Sequence, residues 1–322
     1  MQRLARYRNS FLNCEVIDGQ YRRVNRLILN KSKDKIRDME TLSLPNVRKL
    51  IYNQNGNQIW QHYSQGVVLE DVQLLHREPF VITSNGINYL LTSNENLDIS
   101  NQYEYVLLVT KQPKIKDLEA GTIRVKRWLK HPRFETLSPD QVVSSWENKF
   151  KFIQEDEANN IKGLRPPQMG ALYSILSHLQ NPEDKGIVVM PTGTGKTETM
   201  LATLISNKCK KLLVSVPSDS LRTQISEKFI TLGLLKEYGI VDEDCHNPIV
   251  GIMNSGITDI AILRDFISKV NAVVTTMNIL ADSTAEAKTL YTQEFSHLFV
   301  DEAHHSEAPN GEKIINYFHK EK

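Results

Sequence analysis

Two groups of residues in this chain have the types and spacing to do chemistry. In the first, Pro191, Thr192, Gly193, Thr194, Gly195, Lys196 and Thr197 stand between an apolar run, residues 187–190, and a helix-forming segment, residues 198–205. Glycines at 193 and 195 let successive backbone N–H groups turn inward on a polyphosphate, and a helix N-terminus adds its partial positive charge. At this spacing Lys196 reaches the terminal phosphates of ATP and the Thr197 hydroxyl ligates magnesium. The general pattern G-x-x-x-x-G-K-[ST] asks for glycine at position 190, where this chain has Met190. The plain structural alternative is a Gly/Thr turn that joins strand to helix and holds no ligand.

In the second group Phe299 and Val300 run into Asp301 and Glu302. An apolar strand ending in Asp-Glu directs one carboxylate toward a nucleotide-bound magnesium and the next toward an attacking water. Asp301 would hold the metal, directly or through water, and Glu302 would polarise the water for attack on the γ-phosphate. Alone, such a pair is often only an exposed strand end. Downstream of a phosphate loop in the same α/β lobe, it reads as the catalytic half of one site.

Those side chains need a sheet to hold them. From residue 164 strand-like and helical segments alternate. An amphipathic helix carries Met169, Leu172, Ile175, Leu176 and Leu179, a first buried strand is expected at 187–190, and the loop's helix follows. Then come a strand at 211–216, a helix at 218–232, an apolar run at 248–253, a helix at 259–270, a strand at 272–276, a helical stretch through Leu290 and a strand at 297–301. This alternation predicts a parallel sheet with helices on both faces and ligands beyond the strands' C-terminal ends.

Residues 66–130 have another texture. Strand-like runs at 66–70, 79–83, 87–92, 103–110 and 122–128 are separated by turn residues, and Ser84, Asn85 and Gly86 read as a hairpin turn. A helix is expected around 47–52 and another at 142–152. Acidic, amide-rich residues 154–160 read as a linker, so the boundary falls at 155. The expected fold class is α/β, with a phosphate-loop lobe at 156–322 preceded by a smaller α+β domain at 1–155. A magnesium nuclease there would need an Asp and then an acid-x-Lys on a neighbouring strand, and no such set stands in these runs.

The formal net charge is +1, yet residues 1–50 carry twelve Lys and Arg against five acids, an excess of +7 that leaves −6 for the remainder. A basic N-terminal face suits phosphate-backbone contact, and a solvated surface of mixed charge is the alternative. Cys14, Cys209 and Cys245 are too far apart to suggest a disulfide framework or a zinc site, which fits a reducing, cytoplasmic location. No apolar run approaches the roughly 18 residues a membrane helix requires, so no membrane partner is expected. The Arg-rich, acid-free first ten residues faintly resemble an organelle transit peptide and lack the apolar core of a secretory signal.

Arg165, Pro166, Pro167 and Gln168, the loop 191–197, Ser215, Val216 and Pro217 with Leu221, Arg222, Thr223 and Gln224, the pair Thr275 and Thr276, and Asp301, Glu302, Ala303, His304 and His305 form an ordered set. In that order they resemble the first RecA-like lobe of a superfamily 2 DEAH-type helicase, and the spelling is similar to restriction-enzyme motor subunits and bacterial defence helicases. The resemblance covers residues 160–322. It implies that Gln168 and Arg165 recognise adenine, and that His304 links nucleotide state to motor action. It further implies that Ser215, Pro217, Arg222, Thr275 and Thr276 face a nucleic-acid strand at its phosphates and sugars.

The partner is then nucleic acid, DNA more than RNA, and the activity an ATP- and magnesium-dependent translocase or helicase. The family's second RecA-like lobe and arginine finger are expected from sequence beyond Lys322 or from a partner chain, so this chain by itself is expected to hydrolyse ATP slowly. A non-catalytic ATP-binding scaffold and a nuclease–helicase fusion are the competing readings.

Overall fold

β-Branched and aromatic residues recur in short runs through the N-terminal half, and in the computed structural model these runs form strands. The structure describes residues 14–17, 20–23, 39–98, 102–180, 186–191, 193–302 and 318. The elements of this half are β1 (Cys14–Ile17), β2 (Gln20–Arg23), β3 (Met39–Ser43), β4 (Val47–Gln54), β5 (Asn57–Ser64), β6 (Val68–His76), β7 (Val81–Ser84), β8 (Ile87–Thr92), β9 (Tyr105–Val109), α1 (Ile115–Glu119), β10 (Val125–Lys130) and α2 (Pro139–Ser144). The C-terminal half follows with α3 (Pro166–His178), α4 (Lys196–Ser206), β11 (Leu212–Val216), α5 (Asp219–Thr231), β12 (Val250–Ile252), α6 (Ile260–Ser268), β13 (Ala272–Thr276), α7 (Met277–Ala281), α8 (Ala285–Glu294) and β14 (His297–Val300).

The strands form a small β1-β2 pair and two six-stranded sheets. The first large sheet has the order β10-β9-β8-β7-β6-β3 and packs one face around Leu42, Val72, Ile82, Leu91, Leu107 and Trp128. Its β7–β8 hairpin turns at Asn85 and Gly86, with φ of 49° and 77°, and pairs Ser84 with Ile87 as the Asn-Gly signal predicts. The second sheet has the order β14-β11-β13-β12-β5-β4. Its first four strands are parallel and the last two antiparallel. The chain is therefore α/β, with a sheet of four parallel strands in its C-terminal half preceded by a β-rich N-terminal region.

Three expectations are corrected. Residues 47–52 are not a helix but most of β4, because Asn55 and Gly56 adopt φ of 51° and 80° and fold β4 back on β5 as a hairpin. Residues 187–190 are not a buried strand. They form no ladder, and Ile187 and Val189 are 78% and 89% exposed. A strand exists through its pairing to a neighbour. No described strand pairs with this segment, and apolar content alone does not supply a partner. The helix expected at 142–152 is the shorter α2, capped by Ser138, whose hydroxyl accepts from the Gln141 N–H at 3.2 Å.

The β4–β5 hairpin belongs to the second sheet although it lies far upstream. β5 pairs antiparallel with β12, setting Trp60 opposite Val250 and Gln58 opposite Ile252. Ile59 is fully buried in the same core as Leu213, Val250, Phe266 and Val273. Asn57 Oδ1 accepts from the N–H groups of Asn254 at 2.7 Å and Ser255 at 3.0 Å, which fixes the register. A division at residue 155 does not follow this sheet. Among the described residues no helix is long and apolar enough to cross a membrane.

Candidate functional site

β11, β13 and β14 end together because they are parallel and in register, with Val214 beside both Val274 and Phe299. Asp301, one residue past β14, is held against β11 by its N–H, which donates to the Ser215 carbonyl at 2.9 Å. Glu302 follows with φ of 52°, a left-handed conformation that a non-glycine residue holds at a cost of about 1–3 kcal/mol. That turn carries the Glu302 carboxylate to Lys196, Oε1 to Nζ 2.5 Å, across 106 positions of sequence. Burial raises the pKa of Asp301 above its ordinary value; the Lys196 ammonium opposes the shift and the Glu302 carboxylate adds to it.

α4 begins at Lys196 with Gly195 as its N-cap, and no side chain caps it. The N–H groups of Gly195, Lys196 and Thr197 meet no acceptor among the described residues, leaving donors free at a helix N-terminus. Gly193 and Gly195 have φ of 80° and 88°. The φ of Gly195 favours glycine, and a Cβ there would stand 1.9 Å from Gln168 Nε2 and displace that amide from the loop. Gln168, nearly buried at the start of α3, accepts from the Arg165 N–H at 2.7 Å and donates to the Gly195 carbonyl at 3.2 Å. Arg165 Nη1 donates to the Gly193 carbonyl at 3.1 Å. Arg165 and Gln168 thus clamp the loop through both of its glycine carbonyls. Thr194 closes the turn, its hydroxyl donating to the Pro191 carbonyl at 2.6 Å.

Arg165, Gln168, Gly193, Gly195, Lys196, Thr197, Asp301 and Glu302 line one cleft of about 380 Å³. Sequence reasoning missed further residues that line it. Glu198 and Lys228 form an ion pair at 2.6 Å that ties the first turn of α4 to the last turn of α5. Leu234, Leu235, Tyr238 and Ile240, from the segment after α5, give the cleft an apolar wall. That wall is fastened to the segment before α3: the Lys151 N–H donates to the Ile240 carbonyl at 2.7 Å, and Lys162 pairs with Glu237 at 3.1 Å and lies over the Tyr238 ring. No local motif marks these residues, since their partners are remote in sequence.

The residues expected at a nucleic-acid strand gather at the ends of β11 and β13. Ser215 stands beside Thr275, and Val216 beside Thr276. Ser215, Thr275, Thr276 and Arg222 are all buried, whereas Pro217 is exposed. The Thr275 hydroxyl donates to the Met253 carbonyl at 3.3 Å, and Thr276 is the N-cap of α7. Arg222 pairs with Asp219 at 2.8 Å, and its Nε meets no hydrogen-bond partner among the described residues. Thr192, His304 and His305 lie outside the described residues, as do most of the N-terminal basic residues.

The donor set fits a nucleoside triphosphate with its magnesium. Loop N–H groups without an acceptor and the Lys196 ammonium line the cleft together with the Thr197 hydroxyl and the Asp301 and Glu302 carboxylates. Among the described residues no group of three or more His, Cys, Asp or Glu side chains could hold a metal ion without further ligands. Thr197 and Asp301 supply the oxygens that a phosphate-bound magnesium would use. Residues 161–322 match the family described as Type III restriction enzyme, res subunit. A comparison with curated proteins gave no match.

Proposed function

Because the chain belongs to the family of type III restriction enzyme res subunits, a family of helicase-like ATPases, we propose that it is the ATP-hydrolysing part of a DEAH-type motor acting on nucleic acid. In this reading residues 156–322 are the first RecA-like lobe and residues 1–155 an accessory domain that lends the lobe its β4–β5 hairpin. The observation that carries it is the contact of Lys196 with Glu302, which joins the phosphate loop to the acidic strand end at 2.5 Å.

Lys196 neutralises the β- and γ-phosphates, and a γ-phosphate entering the loop competes with Glu302 for its ammonium. Glu302, released, orients a water in line with the γ-phosphate and accepts its proton. Magnesium, when bound, offsets charge on the phosphates, with Thr197 and Asp301 as its protein ligands. Arg165 and Gln168 take the adenine side. Gln168 keeps a lone pair on Oε1 and a hydrogen on Nε2 beyond the bonds it makes to the protein. Thr192, Gly193, Thr194 and Gly195 wrap the phosphates.

Arg165 is the only arginine lining the cleft among the described residues, and it is bound to Gly193. In this reading the transition-state arginine is supplied from outside the described cleft, by a second RecA-like lobe in cis or on a partner chain. Pro217, with Ser215, Arg222, Thr275 and Thr276 behind it, faces the strand. DNA is favoured over RNA by the restriction-type family, and free, buried Cys209 and Cys245 suit the reducing cytoplasm.

Phosphate release measured with and without single-stranded DNA tests the reading. Turnover by the full-length protein should rise with DNA, and Glu302→Gln should lose about 10²-fold or more of it while still binding ATP. A full-length protein that binds ATP and turns none over, with or without DNA, is a scaffold and not a motor.

A further inference from the structure

Residues 111–133, outside the nucleotide cleft, contain eight Lys and Arg against Asp117 and Glu119 alone. Six of these cations are exposed, Arg133 beyond β10 and the five that matter here, Lys111, Lys114, Lys116, Arg124 and Lys126. These five share one corner of the first sheet, where the chain leaves β9, makes α1 and returns as β10.

The return is closed by backbone bonds: Thr110 N–H to the Arg124 carbonyl at 3.0 Å, Thr122 N–H to the Asp117 carbonyl at 2.9 Å, and Gly121 N–H to the Leu118 carbonyl at 3.0 Å. Leu118 and Ile123 anchor the unit in the sheet's core. Asp117 is nearly buried beneath it and accepts from Lys111 Nζ at 2.9 Å and from the Lys114 N–H at 3.0 Å. Lys114, Lys116, Arg124 and Lys126 make no direct ion pair among the described residues. The result is a pre-ordered base that displays four cations outside any direct ion pair among the described residues, with Lys116 near enough to act on the Asp117 carboxylate.

Lysines on an edge strand deter sheet-to-sheet association. That accounts for Lys126 and Lys130 on β10, the edge of its sheet. It does not account for Lys114 and Lys116 on and before α1. We propose that this corner is a docking surface for the phosphate backbone of nucleic acid, separate from the strand-facing residues of the RecA-like lobe. The inference rests on the reading that nucleic acid is the protein's partner.

An acidic protein surface fits less well. Protein interfaces concentrate aromatic and apolar residues at their core and are depleted in lysine. No large apolar side chain between residues 111 and 126 is exposed, and lysine dominates the patch. Phosphate contact needs only cations held in reach of a charged rod.

The full chain and its Lys114→Glu, Lys116→Glu, Arg124→Glu, Lys126→Glu variant should be titrated into a labelled DNA duplex over a salt series, alongside ATP titrations of both. The variant should bind at least about tenfold more weakly at low salt, and its slope of log K against log salt should fall by about 3 to 4, near 0.9 for each lost phosphate contact. ATP affinity should not change. The corresponding four-fold Gln variant, which adds no repulsion, decides the matter where the Glu variant melts early, and it should lose the same slope. Wild-type binding matched by both variants overturns this surface and leaves the motor reading intact. Binding of polyglutamate that the variants lose, with duplex binding unchanged, overturns it in favour of an acidic polypeptide. A wild-type chain that binds ATP but no nucleic acid at any salt overturns the partner reading itself.

Discussion

Asp301 and Glu302 are adjacent in sequence and differently housed. Glu302 turns out of β14 in a left-handed conformation to meet Lys196, while Asp301 stays against β11, half-buried, with its pKa raised by burial. A carboxyl whose folded pKa lies above its unfolded value binds its proton more tightly in the folded chain. Its ionisation therefore costs stability as pH rises through and above the carboxylate range, and the full cost is present at neutral pH. Asp301→Asn should raise the melting temperature at pH 7, lose the gain below the ordinary carboxylate value of 3.8, and abolish magnesium-dependent hydrolysis. Thermal melts at the two pH values check this, and an unchanged or lower melting point at pH 7 would refute it. Both carboxylates were legible in the sequence, because an apolar run ending in Asp-Glu is a local signal. The Glu198–Lys228 pair was not, because nothing near either residue announces the other.

The elements most exposed to misreading were those whose pairing is remote. Asn55 and Gly56 carry the hairpin signal openly, yet the expectation from sequence at 47–52 is a helix. What decides for β4 is its ladder to β5 and the packing of β5 on the lobe. That packing buries His62, opposite Arg48 in the hairpin register and 5% exposed. Arg48 in turn makes a two-pronged ion pair with Glu227 of α5 at 2.8 and 3.0 Å. Burial first, then the charges of Arg48 and Lys236, lower the His62 pKa from 6.5 to about 4. As pH falls below 6.5 the unfolded chain takes up the proton before the folded chain does. Stability should therefore decline between pH 6.5 and 4, by about 3 kcal/mol for this group when each unit is worth about 1.36 kcal/mol. Denaturant melts of wild type and His62→Gln across that window test it, since the substitution should flatten the decline.

At the scale of the whole molecule the RecA-like lobe depends on a hairpin that precedes it by a whole β-rich region. A chain beginning at residue 156 would lose β4, β5 and the buried Ile59, and would leave β12 as an open edge with unpaired backbone groups. It should melt at a lower temperature than the full chain and associate on size-exclusion chromatography. A monomeric chain of unchanged melting temperature would show that the hairpin is dispensable.

The sequence by itself determined the glycine turn at 193–195, the strand that ends in Asp301 and Glu302, and β8, β11 and β13 to within a residue, because apolar periodicity, turn chemistry and glycine placement act over a few neighbours. Only the tertiary structure decided that residues 187–190 lie unpaired, that β5 extends the parallel sheet antiparallel at β12, and that Tyr238 and Lys228 line the cleft. Each of those outcomes depends on which distant segment occupies the adjacent space, and closing that distance is a property of the folded chain as a whole.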